Sequence, residues 1–389
     1  MANFTSFTSA PLSFVDNGVA AQALPIYGTS GTITNLSISL LGLTHTFPDD
    51  LDILLVAPNG KRNILFMSDA GGDPNIGSVD LTFSDAFSSA LPNESQIVSG
   101  NYRPTDFEPV ETDADFLTAT GGINSGSATT FAAAFNSFAA NGDWRLYVRD
   151  DVQSDVGSLA SWGLTISTSS SQARVTGTSG ADNLEISSDD GSSGYFVLSS
   201  GGGGMFFSDV ASWDISGGAG PDTISFRSNF TNSYVFDLTN GNLTSIEVLQ
   251  FLNPGTNGSA TVRIGASEIG AGFATNGTIL GNSDLNIADT LDIVMGSDTN
   301  VDLSTIIFNF FDGSRDKVTV TGDGSSETII GTNLHDVIVG NGGNDHISSR
   351  GGDDFIEGGA GGDHIDGGTN GADGDTASYA NSAAGVNVQ

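Results

Sequence analysis

A nine-residue period near the C-terminus constrains this chain more than any other feature. The sequence reads GTNLHDVIV (331–339), GNGGNDHIS (340–348), SRGGDDFIE (349–357), GGAGGDHID (358–366) and then GGTNGADGDTASY (367–379). Asp336, Asp345, Asp354 and Asp363 recur at that spacing without a slip, and Asp375 follows in the longer last unit. Ile338, Ile347, Ile356 and Ile365 keep the same step, and Ile329 extends it backwards. A fixed period of this length specifies a stack of small repeated units, each burying its apolar side only against its neighbours.

The composition of one unit says what it does. Six Gly-rich residues allow the positive-φ conformations of a tight turn. The last three form a very short strand whose middle Ile points inward. Two units complete a coil, so Asp336 faces Asp354, and Asp345 faces Asp363. Glycine carbonyls of the same turns point into the gap between them. Carboxylates and carbonyls without a soft ligand suit a hard cation that takes six to eight oxygens, which is Ca²⁺. GGAGGDHID fits the pattern G-G-x-G-x-D-x-U-x at every defined position. On these residues the C-terminal part resembles the RTX family of calcium-binding nonapeptide-repeat proteins. The resemblance implies a calcium-binding β-roll over 311–389 that holds several ions. It also implies type I secretion directed from the C-terminus, and an extracellular or cell-surface location. The sequence stops at AAGVNVQ inside what reads as another unit, so a longer parent protein is expected.

Charge supports a metal rather than a polyanion as partner. The chain has 46 Asp and Glu against 11 Lys and Arg, a formal net charge of −35. That excludes nucleic-acid binding through a basic surface and disfavours anionic lipid. Of the acids, 28 lie after residue 173, where the repeats are. Cysteine is absent, so any stapling must come from metal or packing. No apolar run reaches ~18 residues, so no membrane span is expected. The N-terminal MANFTSFTSAPLSFVDNG lacks a basic and an apolar region and is not a Sec signal.

Residues 1–168 read as an all-β domain. Alternation marks Leu36, Ile38 and Leu40, then 51–56, then Trp144, Leu146 and Val148, then Trp162, Leu164 and Ile166, with turns at PDD, PNG and NGD between. Only FAAAFNSF (131–138) has helical spacing, placing a short helix over one edge of a β-sandwich. The N-terminal tail carries Phe4, Phe7, Leu12 and Phe14, which either complete the sandwich or present a free strand edge. Five ordered blocks are 31–66, VDLTFSDAF (79–87), VSGNYRPTDF (98–107), NGDWRLYVRDD (141–151) and GSLASWGLTI (157–166). In these blocks the region resembles the P domain (Homo B domain) of proprotein convertases in its bacterial form. That resemblance implies a jelly-roll β-sandwich that packs beside a subtilisin-type protease and often binds Ca²⁺. It carries over Asp50, Asp85 and Asp150, and Asp69 in a neighbouring loop, as calcium ligands. No protease domain accompanies the blocks in this sequence.

A polar linker is expected at 169–173, and then a degenerate solenoid over 174–310. Within it GTSGADNLE (177–185) and GGAGPDTIS (217–225) have the nonapeptide form, with Asp182 and Asp222 at the metal position. The expected fold is therefore all-β: a jelly-roll sandwich followed by a parallel β-helix that continues into a β-roll. No H-E-x-x-H or G-x-S-x-G is present, and GGGG at 201–204 lacks the Lys of a P-loop, so no nucleotide site is expected. His45 belongs to the P-domain-like blocks. His346 and His364 are eighteen apart and should stack on one outer face. The expected function is that of a secreted, non-catalytic calcium-binding protein of the cell surface or matrix. It would be structural or adhesive, folding on external Ca²⁺ and self-assembling. The alternative is a secretion, stabilising and targeting module of a larger secreted hydrolase.

Overall fold

Period-two alternation in the first part of the chain resolves into strands that bury one face each. The strand Ile33–His45 buries Ile33, Leu36, Ile38, Leu40 and Leu43 and turns the intervening residues outward. The computed structural model describes residues 1–107, 128–188, 192–199, 204–227, 233–252, 259–282, 287–311 and 315–382. Two units result: residues 1–173 with 203–209, and residues 174–202 with 210–389.

The first unit is a two-sheet sandwich. One sheet orders its strands Thr105–Asp106, Asn63–Ser68, Leu51–Val56, Gly142–Asp150 and Gly18–Ile26. The other is built on Ile33–His45, which pairs antiparallel with Ser161–Thr168 on one side and Ile76–Ser84 on the other. Phe66 and Phe83 meet edge-to-face at 5.0 Å between the sheets. The helix falls at Phe131–Phe135, where Phe131 packs on Phe66 and Phe135 on Trp144. The N-terminal tail is not a free edge. Asn3–Phe7 pairs with Ser161–Thr168 on one side and Gly204–Ser208 on the other, with Phe4 fully buried. The segment 169–173 runs into a strand, Gln172–Thr176, in which Ala173 is buried.

The second unit is a parallel solenoid that changes cross-section. Along one face the strands Asn183–Ser188, Thr223–Arg227, Ile246–Phe251, Phe273–Leu280 and Ile307–Asn309 stack in parallel. A second face runs from Tyr234–Asp237 through Ser259–Gly265, Ala288–Val294, Lys317–Thr321, Asp336–Val339 and Phe355–Glu357 to Thr376–Ser378. A third carries Asn300–Asp302, Thr328–Ile330, His346–Ser348 and His364–Asp366. Among the described residues no strand continues the first face after Ile307–Asn309. Thr290 is paired with Lys317, twenty-seven residues on, whereas Val318 is paired with Asp336, only eighteen on. A three-faced helix thus collapses to a two-faced roll.

Core composition follows the cross-section. Phe196, Trp213, Phe226 and Phe236 fill the wide part with ring contacts between 4.9 and 5.9 Å. In the flat roll one Ile per half-coil suffices, and Ile329, Ile338, Ile347 and Ile356 are at most 1% exposed. One buried Ile per nine residues, several of them Gly, is little apolar burial against the entropy of ordering the chain. A further source of stability is needed in this part.

Candidate calcium-binding edges

In the roll each half-coil is a Gly-rich turn, a carboxylate and a three- or four-residue strand. The turns alternate between the two edges, so the carboxylates form two columns. One contains Glu327, Asp345 and Asp363, and the other Asp336, Asp354 and Asp375. A single hydrogen bond repeats along both. The backbone N–H of one acidic residue donates to the carboxylate of the next coil. It runs from Glu327 to Asp345 at 2.9 Å and from Asp345 to Asp363 at 3.1 Å. In the other column it runs from Asp336 to Asp354 at 2.9 Å and from Asp354 to Asp375 at 3.0 Å. These pairs include the facing pairs read from the sequence.

This bond accounts for one oxygen of each acceptor. The second oxygen, Oδ2, of Asp345 and of Asp354 is buried with no hydrogen-bond partner. Burial raises the pKa of both carboxyls. A buried carboxylate oxygen without donor or counter-charge is costly, and a divalent cation removes that cost. Gly340 and Gly358 let these carboxylates lie against the turns, since a Cβ at either would collide with the Oδ2 of Asp345 or Asp363. Among the described residues no three His, Cys, Asp or Glu side chains converge as a metal cluster. A cation held here would draw on two side-chain carboxylates at most and would need backbone carbonyls and water for its other oxygens, which Ca²⁺ accepts.

The other expected ligands fall into different surroundings. Asp336 is fully buried, but its Oδ2 accepts from the Thr332 N–H at 2.7 Å and its Oδ1 from the Thr332 hydroxyl at 2.9 Å. Burial pushes its pKa to about 7. Asp182 likewise accepts from the N–H and hydroxyl of Thr178. Asp182 and Asp222 do stack: the Asp182 N–H donates to Asp222 Oδ1 at 2.8 Å. They are forty residues apart because the antiparallel strand Gly194–Leu198 is inserted between their coils.

In the first unit, Asp50 and Asp150 come together near Asp151 and Asp155. Burial first, and those three carboxylates after it, push Asp50 up to about 6. Asp150 is fully buried, with Oδ2 at 3.3 Å from His45 Nε2, while His45 Nδ1 lies 2.8 Å from the Phe47 carbonyl. Asp85 is elsewhere: its two oxygens accept from the Phe131 and Ala132 N–H groups and cap the short helix. Asp69 accepts from the Ser68 hydroxyl, which it shares with Asp52.

Two residues of the roll were missed by sequence reasoning. Glu327 holds the Asp position of GDGSSETII (322–330), and a backward count of nine from Asp336 would have found it. Burial, with the carboxyls of Asp323 and Asp345 beside it, pushes Glu327 up to about 7. Asp353 accepts from the N–H groups of Ala372, Asp373 and Gly374 and so holds the longer last loop. The rings of His346 and His364 stack at 4.6 Å and 8° on the outer face.

Comparison with known proteins agrees for this segment. The RTX calcium-binding nonapeptide repeat family (four copies) matches residues 321–356, 330–365 and 339–373. Residues 321–373 are therefore RTX calcium-binding repeats. No curated protein matches the chain. Among solved structures, the Aeromonas sobria serine protease in complex with its chaperone is similar over 40% of this chain, with 18% identity and a TM-score of 0.23. The same protease alone gives 17% identity and a TM-score of 0.21. The chain spans 24% of the length of each.

Proposed function

We propose that this is an extracellular, non-catalytic calcium-binding protein with a structural or adhesive role, whose roll folds on external Ca²⁺. The observation that carries it is the pair of buried, unpartnered oxygens on Asp345 and Asp354, within repeats of a calcium-binding family. A net charge of −35 keeps the metal-free chain expanded, which suits secretion. Type I export follows from the RTX repeats as an expectation. Calcium then neutralises the turns and couples binding to folding.

Self-association is part of the proposal and is supported at one place. Ile307–Asn309 is the last strand of its face among the described residues, and Ile307 and Phe310 beside it are exposed. An uncovered strand with apolar side chains is an edge for another chain. Light scattering across a calcium titration tests both claims. Growth of particles above the calcium midpoint is expected, and a monomer at every calcium concentration removes the assembly claim.

The P-domain-like blocks favour a second reading, in which this chain is the stabilising and targeting part of a larger secreted hydrolase. Hydrolytic activity in the full-length gene product that is lost when a segment outside this chain is deleted would decide for it.

A further inference from the structure

The hydrogen bond that defines the roll recurs upstream, where the nine-residue period is gone. The Asp289 N–H donates to Asp316 Oδ1 at 2.8 Å, and the Asp222 N–H donates to Glu247 Oε2 at 2.8 Å. The partners are twenty-seven and twenty-five residues apart instead of eighteen, because the coils there have three faces. The rung is otherwise the same: an acidic residue gives its N–H to the acid of the following coil.

The second feature of the roll recurs with it. Asp289 is fully buried, and its Oδ2 accepts from the Asn282 N–H at 2.5 Å. Its Oδ1 is buried and has no hydrogen-bond partner. Asp222 is 1% exposed, and its Oδ2 is in the same condition. Among the described residues neither carboxylate forms an ion pair with Lys or Arg. Asp289 and Asp222 are thus buried carboxylates that each keep one oxygen without a donor, beside a second acid on the following coil.

We propose that Asp289 and Asp316 hold a divalent cation, Ca²⁺ by their oxygen-only chemistry, at a site in the three-faced helix that lies outside the matched repeats. Asp222 and Glu247 form a second instance of the same rung. The proposal rests on the reading of the roll as a calcium site, because the rung is recognised by its likeness to those of the roll. Its consequence is that calcium stabilises the helix as well as the roll.

The test uses the full chain and counts bound calcium by equilibrium dialysis for the wild type, Asp289→Asn and Asp354→Asn. Asparagine keeps the shape and the acceptor for the Asn282 N–H but removes the charge. Terbium supplies a local readout, since Tyr234 lies two strands from Asp289 in one sheet, each paired with Ala260, and can sensitise its emission. Asp289→Asn is expected to lose one calcium equivalent and most of the tyrosine-sensitised emission. Asp354→Asn is expected to lose calcium but keep that emission. Should Asp289→Asn not fold, Asp316→Asn replaces it, and Tyr234→Phe must abolish the emission with the calcium count intact. An unchanged calcium count and emission in the Asp289 and Asp316 variants, with calcium lost in Asp354→Asn, overturns this site and leaves the roll standing. An unchanged count in every variant overturns both.

Discussion

Asp354 and Asp336 occupy equivalent points on adjacent coils yet offer different chemistry. Thr332 occupies both oxygens of Asp336, whereas Asp354 keeps Oδ2 free of donors. A site occupied at a hundredfold excess over its Kd contributes about 2.7 kcal/mol. Asp354→Asn should therefore lower the melting temperature in millimolar calcium by about 5–10 °C, and leave the metal-free value nearly unchanged. Thr332→Val should also destabilise the calcium-loaded roll, but with little change in the calcium count. Calorimetry with and without calcium checks both. Protonation follows the same logic. Burial holds Asp336 and Glu327 near 7 in the fold against their ordinary values of 3.8 and 4.5. A raised folded pKa gives stability that is full below the unfolded value and lost as pH rises through the folded one. The calcium-stripped roll should then gain β-structure at pH 5 that it lacks at pH 7.5, with the difference disappearing in saturating calcium. Less β-structure at pH 5 than at pH 7.5 in the stripped protein would contradict that assignment.

At the scale of the element, the turns are packed without space for side chains. A Cβ at Gly361, whose φ is +145°, would run into the Gly343 carbonyl of the coil below. Gly361→Ala should cost the calcium-loaded roll about 1–3 kcal/mol. Thermal unfolding in excess calcium measures it, and a neutral effect would mean the turns do not stack this closely. How far the sequence disclosed these elements depends on the period. Between 329 and 375 the Ile and Asp ladders gave the strands, their stacking and the facing carboxylates. Upstream, coils of changing length spread Asp222, Glu247, Asp289 and Asp316 over unequal intervals, so no spacing marks them as one series. The capping of Asp336 by Thr332 and of the helix by Asp85 depends on which N–H an oxygen meets, and residue types alone do not say that. Cross-section was hidden as well, since the loss of a face after Ile307–Asn309 is a change in pairing and not in composition.

The whole molecule combines a sandwich that has its own apolar core with a solenoid whose last part has little. The sandwich buries Trp144, Trp162, Phe66 and Phe83 completely and should keep its structure without metal. Limited proteolysis in chelator should accordingly cut within 322–382 first and leave a fragment containing residues 1–173 resistant. Protection of both parts alike in chelator would mean that the roll is stable on its own. Secretion, adhesion and assembly all depend on the roll being unfolded at low calcium and folded at high. The most direct measurement is circular dichroism of the chelator-treated chain across a calcium titration. A cooperative gain of β-structure is expected, with a midpoint that moves to higher calcium in Asp345→Asn and Asp354→Asn. Full β-structure before any calcium is added, with no change on titration, would contradict it.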